Sequence, residues 1–470
     1  MVLLCYSYFM KNFIYSLLLI LAGCVTPHNY NDPVKPELVT IKQLAEHADN
    51  LETLYQRNHQ VNGIPFQAYR SDLSLDDPDF KGNGGDSMIF GGHKLAADVF
   101  RYATVSTTEN LDKVMQSLRG MYILTHATGT PGVLARCAFP ADRANEWKYP
   151  EKWGHRIENG FVHTGPVFTD PFDSTKTIGP MIYYTRATKD QLTGLLFGLA
   201  VTLEIMPEAQ IGTPEMQAKV DLCIQTVNTI MEDVYTYLEN NNFTIVDEKG
   251  ENDTNADVVD ELMLLQVLAV YRITSLSTNP AKAPHVSKEY WKKFDCSFFT
   301  LGDLFHRWSN YTQYFAWNLR YLGGYTVFLL DYDTSHRARI KDWYQDRLWQ
   351  FTSGHLNTKF TYFYNVVVGT GEKLDEALFA LKSLSLKPVR SYPSPLAGDE
   401  RKPSFLQVTF GDWDRYVLPP HLRKPTSYST WQKEPWDVGS ASSDGRENAI
   451  GIDYLLAYWL GRYYQFVSEN

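Results

Sequence analysis

Between residues 39 and 467 apolar side chains recur at the three-to-four-residue spacing of helices in one stretch after another, and convincing alternating strand patterns are few. The stretches are Val39–Gln56, His93–Val105, Leu111–His126, Lys189–Met206, Pro214–Leu238, Asp257–Thr274, Asp303–Asp331, Ser335–Thr352, Thr358–Val368, Glu372–Leu384 and Gly451–Val467. The run Asp303–Asp331 reads as two helices broken near Gly323-Gly324. Ten to twelve helices joined by short turns pack as antiparallel pairs, and a ring of such pairs is an α/α toroid. The expected fold class is therefore all-α, one toroidal domain over 39–470. Its connections are uneven. Residues 128–180 and 385–448 are long and rich in proline, and loops of that length inside a compact domain carry function or short structure of their own. The toroid places them together over one rim. No fixed period supports a solenoid.

The N-terminus reads differently. Met10-Lys11 opens a short basic region, and Phe13–Leu21 is an almost unbroken apolar run. That run is too short for a bilayer core, which needs about 20 residues, but fits a signal-peptide core of roughly 7–15. It ends in Leu21-Ala22-Gly23-Cys24, which resembles the lipobox of bacterial lipoproteins. The resemblance implies cleavage before Cys24, lipidation of Cys24, and a place in the cell envelope, periplasmic or surface-exposed, with the membrane as a partner through the anchor. Residues 1–23 are then the signal peptide. Residues 24–38, with Pro27, Pro33 and Pro36, are a flexible tether.

A net charge of −10 and the lack of any basic run argue against nucleic acid as a partner, because such proteins neutralise phosphates. Of five cysteines, Cys5 and Cys24 lie in the leader. Cys137, Cys223 and Cys296 allow at most one disulfide and read as buried small hydrophobes. With no CxxC and no HExxH, no cofactor or metal is indicated by motif. Calcium remains open at the acidic loop, where Asp72, Asp76, Asp77 and Asp79 supply oxygen ligands without EF-hand spacing. GxSxG, GxGxxG and GxxxxGK[ST] are absent, which argues against an α/β-hydrolase serine site and against nucleotide binding. Tyrosine, phenylalanine and tryptophan make up 14% of the chain, enough to serve both a core and rings on which sugars stack.

Four groups carry candidate chemistry. Tyr183–Gln191 crowds Tyr184, Arg186, Lys189 and Asp190 at the mouth of a helix. Thr188 as a cap and Asp190 at the positive helix end explain them structurally. In a cavity, Arg186 would grip a carboxylate and Tyr184 or Lys189 would move a proton. Asp86, ending the acidic loop, and His93 form a second group, cap and core or cleft. His306-Arg307-Trp308, on an aromatic helix, is a third. His155 and His163, near Arg136 and Glu158, read as polar loop residues. The fourth is Asp444 and Asp453 around the entrance of the last helix, either caps or the paired carboxylates of glycoside hydrolysis. Trp459 on that helix counts with the binding residues.

Three stretches, Asp86–Gly92, Tyr183–Gln191 with Gly194 and Phe197-Gly198-Leu199, and Gly451–Tyr463, resemble segments of secreted bacterial α/α-toroid (six-hairpin) proteins. That group includes glycoside hydrolases and polysaccharide lyases. The resemblance implies the toroid and a glycan context: a carbohydrate-active enzyme, or a non-catalytic glycan-binding or structural envelope lipoprotein of the same fold. In the enzyme, Tyr184, Arg186, Asp190, His306 and Asp453 would be catalytic. Asp86, His93, Lys189, Trp308, Asp444 and Trp459 would bind substrate.

Overall fold

The computed structural model describes residues 35–82, 84–147, 162–185, 187–251, 261–297, 314–397, 403, 416–424, 429–432, 434–439 and 444–469. The side chains of residues 261, 296, 297, 429 and 432 also lie outside the description. The chain divides into two units, Met1–Lys35 and Pro36–Asn470, and the second holds the helices.

Twelve helices of ten residues or more stand among the described residues: α1 (Ile41–Leu54), α2 (Ser87–Thr104), α3 (Thr108–His126), α4 (Lys189–Ile205), α5 (Pro214–Asn240), α6 (Glu261–Thr278), α7 (Ala283–Ser297), α8 (Phe315–Leu330), α9 (Thr334–Trp343), α10 (Thr358–Val368), α11 (Leu374–Ser385) and α12 (Ile452–Tyr463). Their starts follow from local chemistry. In α1, Thr40 Oγ1 accepts from Gln43 N at 3.2 Å and Gln43 returns a bond to Thr40 N at 2.8 Å, a capping box. Thr213 caps α5 just ahead of Pro214, whose missing N–H costs nothing in a first turn.

The packed pairs close into two concentric rings. The even-numbered helices touch in the order α2, α4, α6, α8, α10, α12 and back to α2. The odd-numbered helices pack outside them, and α11 meets α1 to complete the outer layer. This is an α/α toroid of six hairpins. All inner helices run the same way. Going down α2, Ile89 meets Gln191 and Gly194 of α4, and Gly92 meets Gly194 and Gly198. Tyr314, at the start of α8, faces Phe360 of α10, while Tyr325 near its end faces Phe363. Leu262 and Gln266 of α6 lie at Gly323, and Arg272 donates to Leu330 O at 2.7 Å. Arg101, late in α2, lies 5.0 Å from the ring of Trp459, late in α12. Every inner helix therefore starts at the same rim.

Connections leaving the inner helices are short: 105–107, 206–213, 279–282, 331–333 and 369–373. Those entering them are long, and 127–188 and 386–451 are the longest. Among the described residues ten short strands lie in the entering connections: β1 (Gln60–Val61), β2 (Ile64–Pro65), β3 (Ala68–Tyr69), β4 (Phe80–Lys81), β5 (Cys137–Pro140), β6 (Val162–Thr164), β7 (Phe168–Asp170), β8 (Asp173–Ile178), β9 (Met181–Tyr184) and β10 (Glu447–Asn448). β9 is the middle strand of a sheet with β5 and β6, and β3 pairs with both β4 and β10. The 128–180 connection is thus not irregular throughout.

Two expectations are corrected. The pair Gly323-Gly324 does not break a helix but sits inside α8, because neighbours press on it. A Cβ on Gly324 would fall 2.6 Å from Trp343 and Tyr344 side-chain atoms. Helix α7 has no counterpart among the expected helices, since its lysines and Pro284 blur the apolar spacing. Among the described residues no helix is long and apolar enough to cross a membrane.

Candidate functional site at the rim of the inner helices

Asp86 immediately precedes α2 and Asp190 lies in the first turn of α4, so ring geometry brings two separated carboxylates to one rim. Arg136, just before β5, joins them. Its backbone N donates to Tyr184 O at 2.9 Å, which ties it to the end of β9. Its side chain donates to Gly85 O at 2.7 Å and to Asp86 Oδ1 at 3.2 Å. The guanidinium also lies 5.9 Å from the centre of the Tyr184 ring. Gln191 Nε2 reaches Asp86 at 3.4 Å. Burial and the nearby Asp190 raise the Asp86 carboxyl above its ordinary range, against the pull of Arg136 and Gln191. Burial disfavours the charge on Arg136, but Asp86, Asp190 and Tyr184 outweigh it. Asp190 accepts from Gln191 N at 3.1 Å and from the Thr188 hydroxyl. Thr188 occupies the cap position of α4 but spends its hydroxyl on Asp190, not on a first-turn N–H as a side-chain cap would.

A second group lies at the starts of α10 and α12. Asp453 does not cap α12, whose cap position is Gly451. Instead Asp453 Oδ2 accepts from Thr430 N at 2.9 Å and fixes the short turn Ser429–Gln432. Trp431 on that turn stands edge-on to His93, with ring centres 5.0 Å apart. Lys359, in the first turn of α10, holds its ammonium 5.1 Å from the Trp431 ring. It is 4% exposed, and burial lowers its pKa to about 8 against the pull of Asp453. Thr430, Lys359 and Asp453 line a hollow with room for about one water molecule.

The two groups meet on α2. Asp86 and His93 are seven residues apart, hence on nearly the same helix face and about 10 Å apart along the axis. His93 is fully inside. Its Nδ1 lies 2.8 Å from Ile89 O, and burial followed by Lys359 drives its pKa well below the ordinary value. It is a core histidine on the floor beneath Asp86.

The other expected residues fall elsewhere. Lys189 is half-buried at the first position of α4. Asp444 is in an exposed turn, ion-paired with Arg446 at 3.2 Å. Trp459 lies under Arg101, toward the end of α12 opposite the rim, so it does not face this site. Arg186, His306, Trp308 and Cys24 lie outside the described residues, as do His155, Arg307 and Glu158. In the acidic loop, Asp77 pairs with Arg57, Asp79 accepts from Ser71, and Asp72 accepts from Ser74 N. These aspartates answer different partners. No group of three His, Cys, Asp or Glu placed to hold a metal occurs among the described residues. His163 lies 3.5 Å from Glu248, which also accepts from the Tyr183 hydroxyl at 3.3 Å.

Sequence reasoning missed Lys359 and did not link Arg136 with Asp86. Lys359 had one signal, a lone cation inside the run Thr358–Tyr364, otherwise apolar, aromatic or hydroxylic. Together the rim offers a carboxyl inclined to keep its proton, a second carboxylate beside it, and a tyrosine and an arginine within the same cluster. Such a set can give a proton to a leaving oxygen or steady a developing negative charge.

No protein-family profile matches the chain, and no curated protein matches it. Among solved structures it is similar to a glycoside hydrolase family 9 endoglucanase, J30. The two share 11% identity over 91% of this chain and 85% of that one, with a TM-score of 0.43. The toroid is established by the helix pairs above and not by this likeness.

Proposed function

We propose that this chain is a lipid-anchored carbohydrate-active enzyme of the bacterial cell envelope, a glycoside hydrolase or polysaccharide lyase working at the rim where the inner helices begin. The reading is carried by one observation. Asp86 and Asp190 come from adjacent inner helices, and the first is held toward its protonated form beside the second. Glycoside hydrolysis needs two carboxyl groups in different protonation states, one giving a proton to the leaving oxygen and one serving as base or nucleophile. In elimination, Tyr184 would take the proton and Arg136, with Arg186, would steady the carboxylate beside the reacting carbon. Asp453 would then act from the same rim, and His306 is proposed as a further catalytic residue. The anchor reading rests on the short apolar run and Leu21-Ala22-Gly23-Cys24. These boundaries make residues 1–23 the signal, 24–38 the tether and 39–470 the working domain.

The test is a panel of polysaccharides incubated with the protein and assayed for new reducing ends and for the absorbance of unsaturated uronates. Reducing ends without that absorbance mean hydrolysis; both together mean elimination. Tight binding of one glycan with no turnover of any replaces the enzyme with a glycan-binding lipoprotein.

A further inference from the structure

Lys359 is a buried lysine, and Asp453 is the carboxylate that acts on it. Its ammonium has no hydrogen-bond partner among the described residues, although the side chain is 4% exposed. A buried ammonium without a hydrogen-bond partner is costly, and an anionic ligand would relieve that cost. His93, across Trp431, adds no charge: its Nδ1 donates to Ile89 O and burial keeps the ring neutral, so Nε2 is an acceptor, without a partner among the described residues. Arg423 is fully buried and, among the described residues, bonds backbone oxygens, Leu418 O at 2.8 Å, His355 O at 2.7 Å and Leu356 O at 3.3 Å, with no described acceptor at Nη1. Lys387 donates to Lys424 O at 2.9 Å. Asp453 is the carboxylate felt by both lysines, and one of its oxygens already accepts from Thr430 N. Two lysines thus share one carboxylate.

A water molecule in the hollow would satisfy a donor but not the surplus charge. An anion would do both, and one oxygen of a carboxylate is the size of the water that the hollow admits. We propose that the hollow at Lys359 is a carboxylate seat, and that the ligand it takes is an acidic sugar whose carboxylate bonds Lys359 Nζ while its ring lies at the rim. This rests on reading the rim as a glycan site and narrows that reading to uronate-bearing glycans.

The probes are galacturonate and galactose, which differ at the carboxylate. In the full-length wild-type protein, reductive methylation of Lys359 is followed by peptide mass spectrometry with each sugar present. A charge-assisted bond to its carboxylate ties up the amine, so galacturonate should slow its methylation about tenfold while galactose leaves it unchanged. Lys359→Met, if folded, should lose the rise in melting temperature that galacturonate gives the wild type. Protection by galacturonate without turnover of any polysaccharide would keep the seat and remove the enzyme. Turnover of neutral polysaccharides, with Lys359 methylated equally in both sugars, would overturn the seat and keep the enzyme. Equal methylation with no turnover would overturn both.

Discussion

Gly92 of α2 and Gly194 of α4 meet backbone to backbone. A Cβ on Gly92 would lie 1.8 Å from Gly194 O, and one on Gly194 would lie 2.4 Å from Ile89 Cα. No side chain can give way there, because the obstructing atoms are main chain. The two helices that carry Asp86 and Asp190 are held at this separation by the absence of two side chains.

Gly92→Ala should therefore destabilise the protein although alanine is the better helix former. Overpacking of this kind costs about 3 kcal/mol, more than the roughly 1 kcal/mol of helix propensity gained. Urea unfolding checks it, with Gly212→Ala as control. At Gly212 the nearest atom to a new Cβ is Met216 Sδ at 3.8 Å, and little change is expected.

The layer between α1, α2 and α3 contains a buried ion cluster. Lys94 sits 3.1 Å from Glu52 and bonds Asp98, which also accepts from Ser117 at 2.6 Å. Lys94→Met would strand two buried carboxylates, and the expected loss is about 3–5 kcal/mol. Unfolding at neutral pH measures it; a loss below 1 kcal/mol would mean the cluster is wetter than its burial indicates.

His59 ties acid sensitivity to one site. It is fully buried, with Nδ1 3.1 Å from Phe66 O, and burial, reinforced by Lys81 and Arg70, lowers its pKa to about 3 against the pull of Phe66 O. The unfolded chain takes up that proton near pH 6.5, whereas the folded chain resists it until about pH 3. Stability from this group is full above pH 6.5 and falls as the pH drops through that window. His59→Gln should flatten the stability–pH slope between pH 6 and 4 by about 1.4 kcal/mol per pH unit. Equal slopes in both proteins would contradict the assignment.

Much of the fold was legible because helix period and turn chemistry are local. Helix α10 spans Thr358–Val368, the span read from sequence, and α4 differs by one residue. Failures came where distant neighbours decide. Gly323-Gly324 reads as a break until Trp343 and Tyr344 press against it. At the candidate site, the crowding of charge at Tyr184–Asp190 is visible in the sequence itself. Arg136, about fifty residues from either Asp86 or Asp190, enters only when β5 pairs with β9. Lys359 is inconspicuous in sequence, because a lone lysine on a helix is ordinarily exposed.

The anchor is separately testable. In a bacterial host fed labelled palmitate, the wild type should incorporate label and sediment with membranes. Cys24→Ser should do neither. Unlabelled wild type in the soluble fraction would overturn the lipobox reading and leave the toroid untouched.

The most direct measurement is turnover of the best polysaccharide by wild type, Asp86→Asn and Asp190→Asn, with melting temperatures recorded alongside. Loss of a general acid or base typically costs about 10²–10⁴ in rate. The account predicts a loss of that size in both variants with melting little changed. Full turnover by both variants would contradict it, because the rim carboxylates would then have no part in the chemistry.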